Sequence, residues 1–183
     1  MSTKVRATIE DLYDVPENGK AELIDGELVR SMPTGMKPSR ASLKIASSLM
    51  QHEQTHGGGV AIGDNAGFLV DLANRESFSP DAAWYTGPET GMRFLEGAPV
   101  FAVEVRSEND YSEIAEREMA AKRRDYFDAG TLVVWDVDLL SDDVIRAFHS
   151  TDPRRPTIFH RGEIADAEPA VPGWRMPVDD LFR

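Results

Sequence analysis

Pro99-Val-Phe-Ala-Val-Glu-Val-Arg-Ser-Glu-Asn-Asp110 decides how this chain is read. Val100 to Val103 form a nearly unbroken apolar run, the pattern of a strand buried on both faces within a sheet. Glu104 then stands where that pattern asks for another apolar residue. A carboxylate carried into a core takes a proton, pairs with a cation or holds a metal. The plainer alternative is that the strand ends at Glu104 and releases it to water.

Outward from this stretch, Tyr111 to Ala129 reads as a long helix closed by Gly130, and Thr131-Leu-Val-Val-Trp-Asp-Val137 as a second strongly apolar strand. Strand, helix, strand over 99–137 predicts a βαβ crossover within a larger mixed sheet. On that helix Ala115, Met119, Lys122 and Tyr126 recur at helical spacing, which puts Lys122 in the apolar stripe. A lysine there either snorkels to water or serves a buried partner.

Towards the N-terminus, Thr8-Ile-Glu-Asp-Leu-Tyr-Asp14 predicts a short helix with Thr8 as N-cap and Asp11 as its capping partner, ended by Pro16, Asn18 and Gly19. Glu22-Leu-Ile-Asp-Gly-Glu-Leu-Val29 predicts a hairpin turning at Asp25-Gly26, with Glu22 at its entry. After a loop from Met32 to Pro38, Ser39 is expected to cap a helix running to about His56, where Gly57-Gly-Gly59 stops it. Val60-Ala-Ile62 and Gly67 to Leu72 read as a strand pair around Gly63-Asp-Asn65. Phe78 to Tyr85 reads as one further strand, with Pro80 near its start and Asp81 immediately after. Gly87 to Gly97 is a loop with some helical potential. Val144 to His149 and Pro156 to His160 alternate like edge strands with one face wet. The tail, 171–183, carries Trp174, Leu181 and Phe182 as anchors for packing on the body.

The length of 183 residues suits one domain rather than two. Cysteine is absent, which removes disulfides and thiolate metal sites and suits a reducing compartment. No signal-peptide core or membrane-length apolar run occurs, so a soluble cytoplasmic protein is expected. The formal net charge of −12 argues against tight, non-specific binding to nucleic acid, which normally relies on Lys and Arg.

Asp81, Glu104 and Lys122 converge on the centre of the predicted sheet. Two carboxylates at adjacent strand positions suit a hard divalent cation such as Mg²⁺, with Mn²⁺ a substitute. A nearby lysine can orient an attacking water or stabilise charge on a phosphate in the transition state. Glu22 is a further carboxylate within reach of such a centre. Together these residues form a minimal phosphodiester-hydrolysing set.

Pro80-Asp81 followed by Glu104-Val-Arg106 after an apolar strand resembles the PD-(D/E)XK nuclease superfamily. With Glu22-Leu-Ile-Asp-Gly-Glu-Leu28, Val103-Glu-Val-Arg-Ser107, Lys122, Tyr126, Gly130, Trp135 and Val171-Pro-Gly-Trp174, the chain more narrowly resembles the Uma-type "putative restriction endonucleases", long a domain of unknown function. The resemblance spans about residues 8–182 and rests on motif order rather than on any single motif. It implies a single α/β domain with a restriction-endonuclease-like core, a mixed sheet flanked by helices. It also implies a Mg²⁺ site and, often, a homodimer. By position, Asp81 and Glu104 become the metal carboxylates, the Val105 carbonyl a further ligand, and Glu22 the acidic residue of the N-terminal region. The superfamily's lysine position holds Arg106, a planar fork rather than a compact ammonium. The narrower group carries that lysine on the following helix, where Lys122 matches. Relatives also show a histidine in the loop that Lys37-Pro-Ser-Arg40 occupies here.

One motif competes. His52-Glu53-Gln-Thr-His56 is a complete H-E-x-x-H, in which two histidines on one helical face bind zinc and the glutamate is the general base. The three glycines that follow, and the absence of a third ligand downstream, make a zinc hydrolase the weaker reading. For contacts to nucleic acid, Lys37, Arg40 and Lys44 form the cleanest basic cluster and are expected at the cleft rim, with Arg106 a further candidate. The cations on the crossover helix interleave with Glu113, Glu116, Glu118 and Asp125, the pattern of a solvated face. The leading expectation is a Mg²⁺-dependent DNA endonuclease. The alternative within the same fold is a non-catalytic dimeric binding or regulatory protein.

Overall fold

The 99–137 stretch forms the predicted crossover. In a computed structural model describing residues 6–15 and 19–183, β8 (Phe101–Val105), α3 (Glu113–Asp128) and β9 (Val133–Val137) follow one another. β8 and β9 pair in parallel, with Glu104 opposite Asp136. Ser112 caps α3 by accepting the Ala115 N–H, and Gly130, at φ 103°, turns the chain out of it where a side chain would be strained.

The remaining elements, in chain order, are α1 (Ile9–Tyr13), β1 (Ala21–Ile24), β2 (Glu27–Arg30), α2 (Met36–His56), β3 (Val60–Ile62), β4 (Phe68–Leu72), β5 (Arg75–Phe78), β6 (Ala82–Tyr85) and β7 (Leu95–Glu96). After β9 come β10 (Ile145–His149), β11 (Asp152–Phe159), β12 (Ile164–Asp166), β13 (Arg175–Pro177) and a closing 3-10 turn over Val178–Phe182. One sheet runs β2-β1-β5-β4-β7, a second β11-β10-β9-β8-β6-β3, and β12 pairs with β13 alone. The result is a single mixed α/β domain whose sheets are flanked by helices.

The second sheet is covered on both sides. Ala41, Ile45 and Leu49 of α2, with Trp174, Met176, Val178 and Leu181 of the tail, pack on one face against Trp84, Phe101, Val103 and Trp135. Trp174 also donates from its indole N–H to the Ser48 hydroxyl at 3.0 Å, which ties the tail to α2. The other face carries Ala83, Tyr85, Ala102 and Val134, and is closed by Tyr126 of α3 and by Phe68 and Phe78 of the first sheet. Phe78 and Tyr126 stack at 4.0 Å between ring centroids. Side chains alternate along a strand, so Glu104 projects from the same face as Ala102, towards α3 and the first sheet.

Both early local expectations appear. Thr8 and Asp11 form the reciprocal capping box of α1; Pro16 and Asn18 lie outside the described residues. Asp25 and Gly26, at φ 50° and 71°, make the two-residue turn between β1 and β2.

Other expectations need correction. α2 begins three residues ahead of Ser39, with Gly35 as N-cap. Pro38 is accommodated because first-turn N–H groups have no intrahelical partner, and Ser39 supplies the N–H that bonds the Gly35 carbonyl. β3 and β4 do not pair with each other. β3 joins β6 in the second sheet, while β4 pairs β5 in the first. The single strand expected from Phe78 to Tyr85 is two strands in different sheets, parted at Ser79-Pro80-Asp81, because proline lacks the N–H a ladder needs. The loop before β8 contains the short strand β7 and no helix. β10 lies inside its sheet, between β9 and β11, and is mostly buried; β11 is the edge.

Candidate active site

The crossing from one sheet to the other at Ser79–Asp81 creates the site. β6 and β8 run antiparallel with Ala82 opposite Val103, so one step further on Asp81 faces Glu104. The main chain of Asp81 is pinned at both ends. Its N–H donates to the Val103 carbonyl at 2.9 Å, and its carbonyl accepts the buried Ser42 hydroxyl of α2 at 2.7 Å. Its side chain turns back, and Oδ2 accepts the Val105 N–H at 2.7 Å. The two carboxylates expected together are therefore brought together by sheet register.

Lys122 enters from α3. Its Nζ lies 2.8 Å from Glu104 Oε1 and 2.8 Å from Glu22 Oε1. The Tyr126 hydroxyl, one helical turn on, donates to Glu104 Oε1 at 2.7 Å. The stripe read from Lys122 and Tyr126 thus ends on the odd carboxylate of the strand beneath it. Glu22 is buried in β1 of the first sheet. Besides Lys122 it accepts the Ser79 N–H at 2.9 Å and Arg75 Nη1 at 2.6 Å. Arg75 in turn donates from Nε to Asp125 of α3 at 2.9 Å, locking β5, β1 and α3 around the lysine.

The environment drives the two glutamates apart. Burial pushes the Glu104 carboxyl up, and the neighbouring Asp81 and Glu22 charges add to this, outweighing Lys122 and Lys20. Burial works on Glu22 in the same direction, but Lys122 and Arg75 beside it hold its pKa below the usual carboxylate range. For Lys122, burial opposes the charge while Glu104 and Glu22 more than restore it, so its pKa is raised and it stays protonated.

A second cation completes the site. Lys20 Nζ lies 2.6 Å from Asp81 Oδ1 and 2.7 Å from Asp64 Oδ1. Neither Lys20, Asp64, Arg75 nor the hydroxyl contact of Tyr126 is foreseen from sequence. The available signal is alternation: Lys20 stands two residues before Glu22 in extended chain, on the same face.

Four carboxylates (Asp64, Asp81, Glu104, Glu22) meet two ammonium groups (Lys20, Lys122), and −4 + 2 leaves a formal charge of −2. The Arg75–Asp125 pair adds nothing, +1 − 1. Oxygen donors and a residual −2 fit a hard divalent cation. No three His, Asp or Glu side chains among the described residues converge as a ready coordination shell. Asp81 and Glu104 would supply two, and Mg²⁺ typically takes one or two carboxylates and keeps several waters. A cleft of about 260 Å³ opens beside Glu104, lined also by Lys122, Tyr126, Arg123, Arg106 and Asp136.

Arg106 corrects one expectation. It lies on the Glu104 side of the strand end, but its guanidinium makes a buried two-pronged pair with Asp136, at 2.7 and 2.8 Å, and also meets Glu116. It is spent on holding β8 to β9 and α3 and is not presented to solvent as a phosphate contact. Of the basic cluster on α2, Lys37 is exposed, Lys44 is half-buried, and Arg40 donates to the main-chain oxygen of Arg183 at 2.9 Å. α2 covers the sheet face opposite Glu104, and none of the three lines the cleft beside it.

The H-E-x-x-H histidines do share a face, stacked at 4.5 Å, but His52 is buried against Trp84. Burial, with His56 beside it, lowers the His52 pKa against the pull of the Pro172 main chain. Glu53 accepts the Ala61 N–H at 2.8 Å, which ties the helix end to β3 rather than leaving a free base. No third ligand joins the two histidines among the described residues.

Comparisons with known proteins bear on the family and, separately, on the fold. The family model described as "Uma2: Putative restriction endonuclease" matches residues 7–179. A crystal structure from Anabaena variabilis, described as a putative nuclease belonging to DUF820, superimposes with a TM-score of 0.72 at 18% identity, covering 96% of this chain and 97% of that one. No curated protein matches. No helix among the described residues is long and apolar enough to cross a membrane.

Proposed function

The chain belongs to the Uma2 family of putative restriction endonucleases, and from that premise we propose that it is a Mg²⁺-dependent endonuclease hydrolysing DNA phosphodiester bonds, with Mn²⁺ able to replace Mg²⁺. The observation that carries the reading is Lys122 Nζ at 2.8 Å from both Glu104 and Glu22, with a third carboxylate, Asp81, facing Glu104 across the sheet. Asp81 and Glu104 would hold the cation, with the Val105 carbonyl as a further ligand. When bound, the cation supplies a Lewis acid that polarises the phosphoryl oxygen and makes a water acidic at neutral pH.

The protein's own groups do the rest. The Val105 N–H and the Ser42 hydroxyl fix Asp81, and the Tyr126 hydroxyl fixes Glu104. Lys122 stays protonated and donates to the attacking water or to the phosphoryl oxygens as negative charge builds on them. Glu22, anchored by Arg75 and the Ser79 N–H, holds that ammonium in place. Lys37 and Lys44 supply phosphate contacts outside the cleft, and the protein acts as a homodimer.

Supercoiled plasmid incubated with Mg²⁺ tests this. The wild type nicks or linearises it and EDTA stops the reaction. Asp81→Asn and Lys122→Met lower the rate by about 100-fold or more. Equal cleavage by all three proteins contradicts the assignment. One observation favours the non-catalytic dimer, the net charge of −12. That reading is the correct one if no DNA form is cut with Mg²⁺ or Mn²⁺ while the protein still sediments as a dimer.

A further inference from the structure

Asp81 has no idle oxygen. Oδ2 accepts the Val105 N–H at 2.7 Å, and Oδ1 accepts Lys20 Nζ at 2.6 Å. Lys20 reaches in from the segment leading to β1, and its side chain is 19% exposed, against 50% for its second partner, Asp64, just after β3. The Lys20 ammonium is thus seated inside the carboxylate group on one oxygen and tethered at the rim by another. Glu104 also acts on it electrostatically. A positive charge already occupies an Asp81 oxygen that a cation shared by Asp81 and Glu104 would need.

We propose that Lys20 is a displaceable internal counter-cation: it neutralises Asp81 while the site lacks a metal, and a divalent ion entering at Asp81 and Glu104 expels it towards Asp64. This rests on the metal reading of Asp81 and Glu104 given above. Like charges at contact distance repel strongly where water is partly excluded, so the ammonium and a divalent ion do not share Asp81 Oδ1 without cost. Asp64 gives the displaced ammonium a partner that it already holds at 2.7 Å, so the exchange needs a side-chain swing and no rearrangement of the sheets. Lys122 does not compete in the same way, because it and the Tyr126 hydroxyl share the one oxygen Oε1 of Glu104, whereas both oxygens of Asp81 are taken. Lys20 therefore sets how much free metal the site requires before it fills.

Mn²⁺ titration followed by EPR of the free ion tests the proposal on wild type, Lys20→Met and Lys20→Met/Asp81→Asn. Methionine keeps much of the stem and removes the charge. The expected result is affinity raised by about tenfold or more in Lys20→Met, and lost again in the double variant. Equal or weaker binding by Lys20→Met than by wild type overturns the proposal while leaving the metal site standing. No binding by either overturns the metal reading and this inference with it. A second measurement on the wild type covers a variant that folds badly. Acylation of Lys20, read by mass spectrometry against exposed Lys37, rises when saturating Mg²⁺ is added; unchanged acylation of Lys20 contradicts displacement.

Discussion

Lys122 and Glu104 meet at 2.8 Å across the interface between α3 and the end of β8. Each side chain is only about a fifth to a quarter exposed, and Glu22, the third member, is less so. Lys122→Met leaves two part-buried carboxylates facing each other without their cation. Metal-free stability should fall by about 3 kcal/mol, the low end for losing one partner of a buried pair, because water still reaches the site. Calorimetric unfolding in EDTA measures this, and an unchanged Tm contradicts the ion-pair geometry.

Arg75 is the keystone of the support around that lysine, so its loss should be felt in stability before activity is considered. It is buried, and it bridges Glu22 and Asp125 at 2.6 and 2.9 Å. Arg75→Met is expected to cost about 3 kcal/mol or more in urea unfolding. Arg117→Ala, which removes an exposed pair with Glu113 on the same helix, should change stability by less than about 0.5 kcal/mol. Similar losses in the two variants would contradict the division between buried support and solvated surface.

The opposite shifts of Glu104 and Glu22 give opposite pH dependences. A raised carboxyl contributes stability that is fully present below its unfolded pKa and lost as pH rises through its folded pKa. Glu104 is of this kind, so near neutral pH Glu104→Gln should stabilise the metal-free protein, and the gain should vanish as pH falls through the raised folded value. Glu22 is lowered, so its contribution is present above the unfolded pKa and lost as pH falls through the folded one. Glu22→Gln should destabilise at neutral pH and approach the wild type only in stronger acid. Urea unfolding from about pH 4 to about pH 8 separates the two profiles, and profiles of the same sign refute the assignment.

The central part of this architecture is legible in the sequence because its cause is local. The apolar run before Glu104, the spacing of Lys122 and Tyr126, and the Asp25-Gly26 turn each express a backbone period or a φ requirement. Pairing between distant segments is not local, and there the reading fails. β3 and β4 look like a hairpin, yet each finds a better apolar face in a different sheet. Pro80 signals a break, but only the fold reveals that the break joins two sheets and lifts Asp81 opposite Glu104. Lys20, Asp64 and Arg75 are ordinary charged residues in sequence. Their roles come from partners more than forty positions away. Arg106 shows the converse, since its motif position suggests chemistry while Asp136, opposite Glu104 on the next strand, claims its side chain.

The histidine motif should prove structural. His52→Ala removes a buried ring packed on Trp84 and should lower Tm, whereas His56→Ala, on an exposed position, should barely move it. Neither change should alter metal-dependent cleavage, and Zn²⁺ should not bind stoichiometrically. Stoichiometric zinc lost in either variant would reinstate the zinc reading.

The claim that Asp81 and Glu104 hold a divalent cation is tested most directly by calorimetric titration of Mg²⁺ or Mn²⁺ into wild type and Asp81→Asn. Saturable binding near one ion per chain is expected in the wild type and its loss in Asp81→Asn, with the fold intact by circular dichroism. Equal, negligible heats in both proteins contradict it.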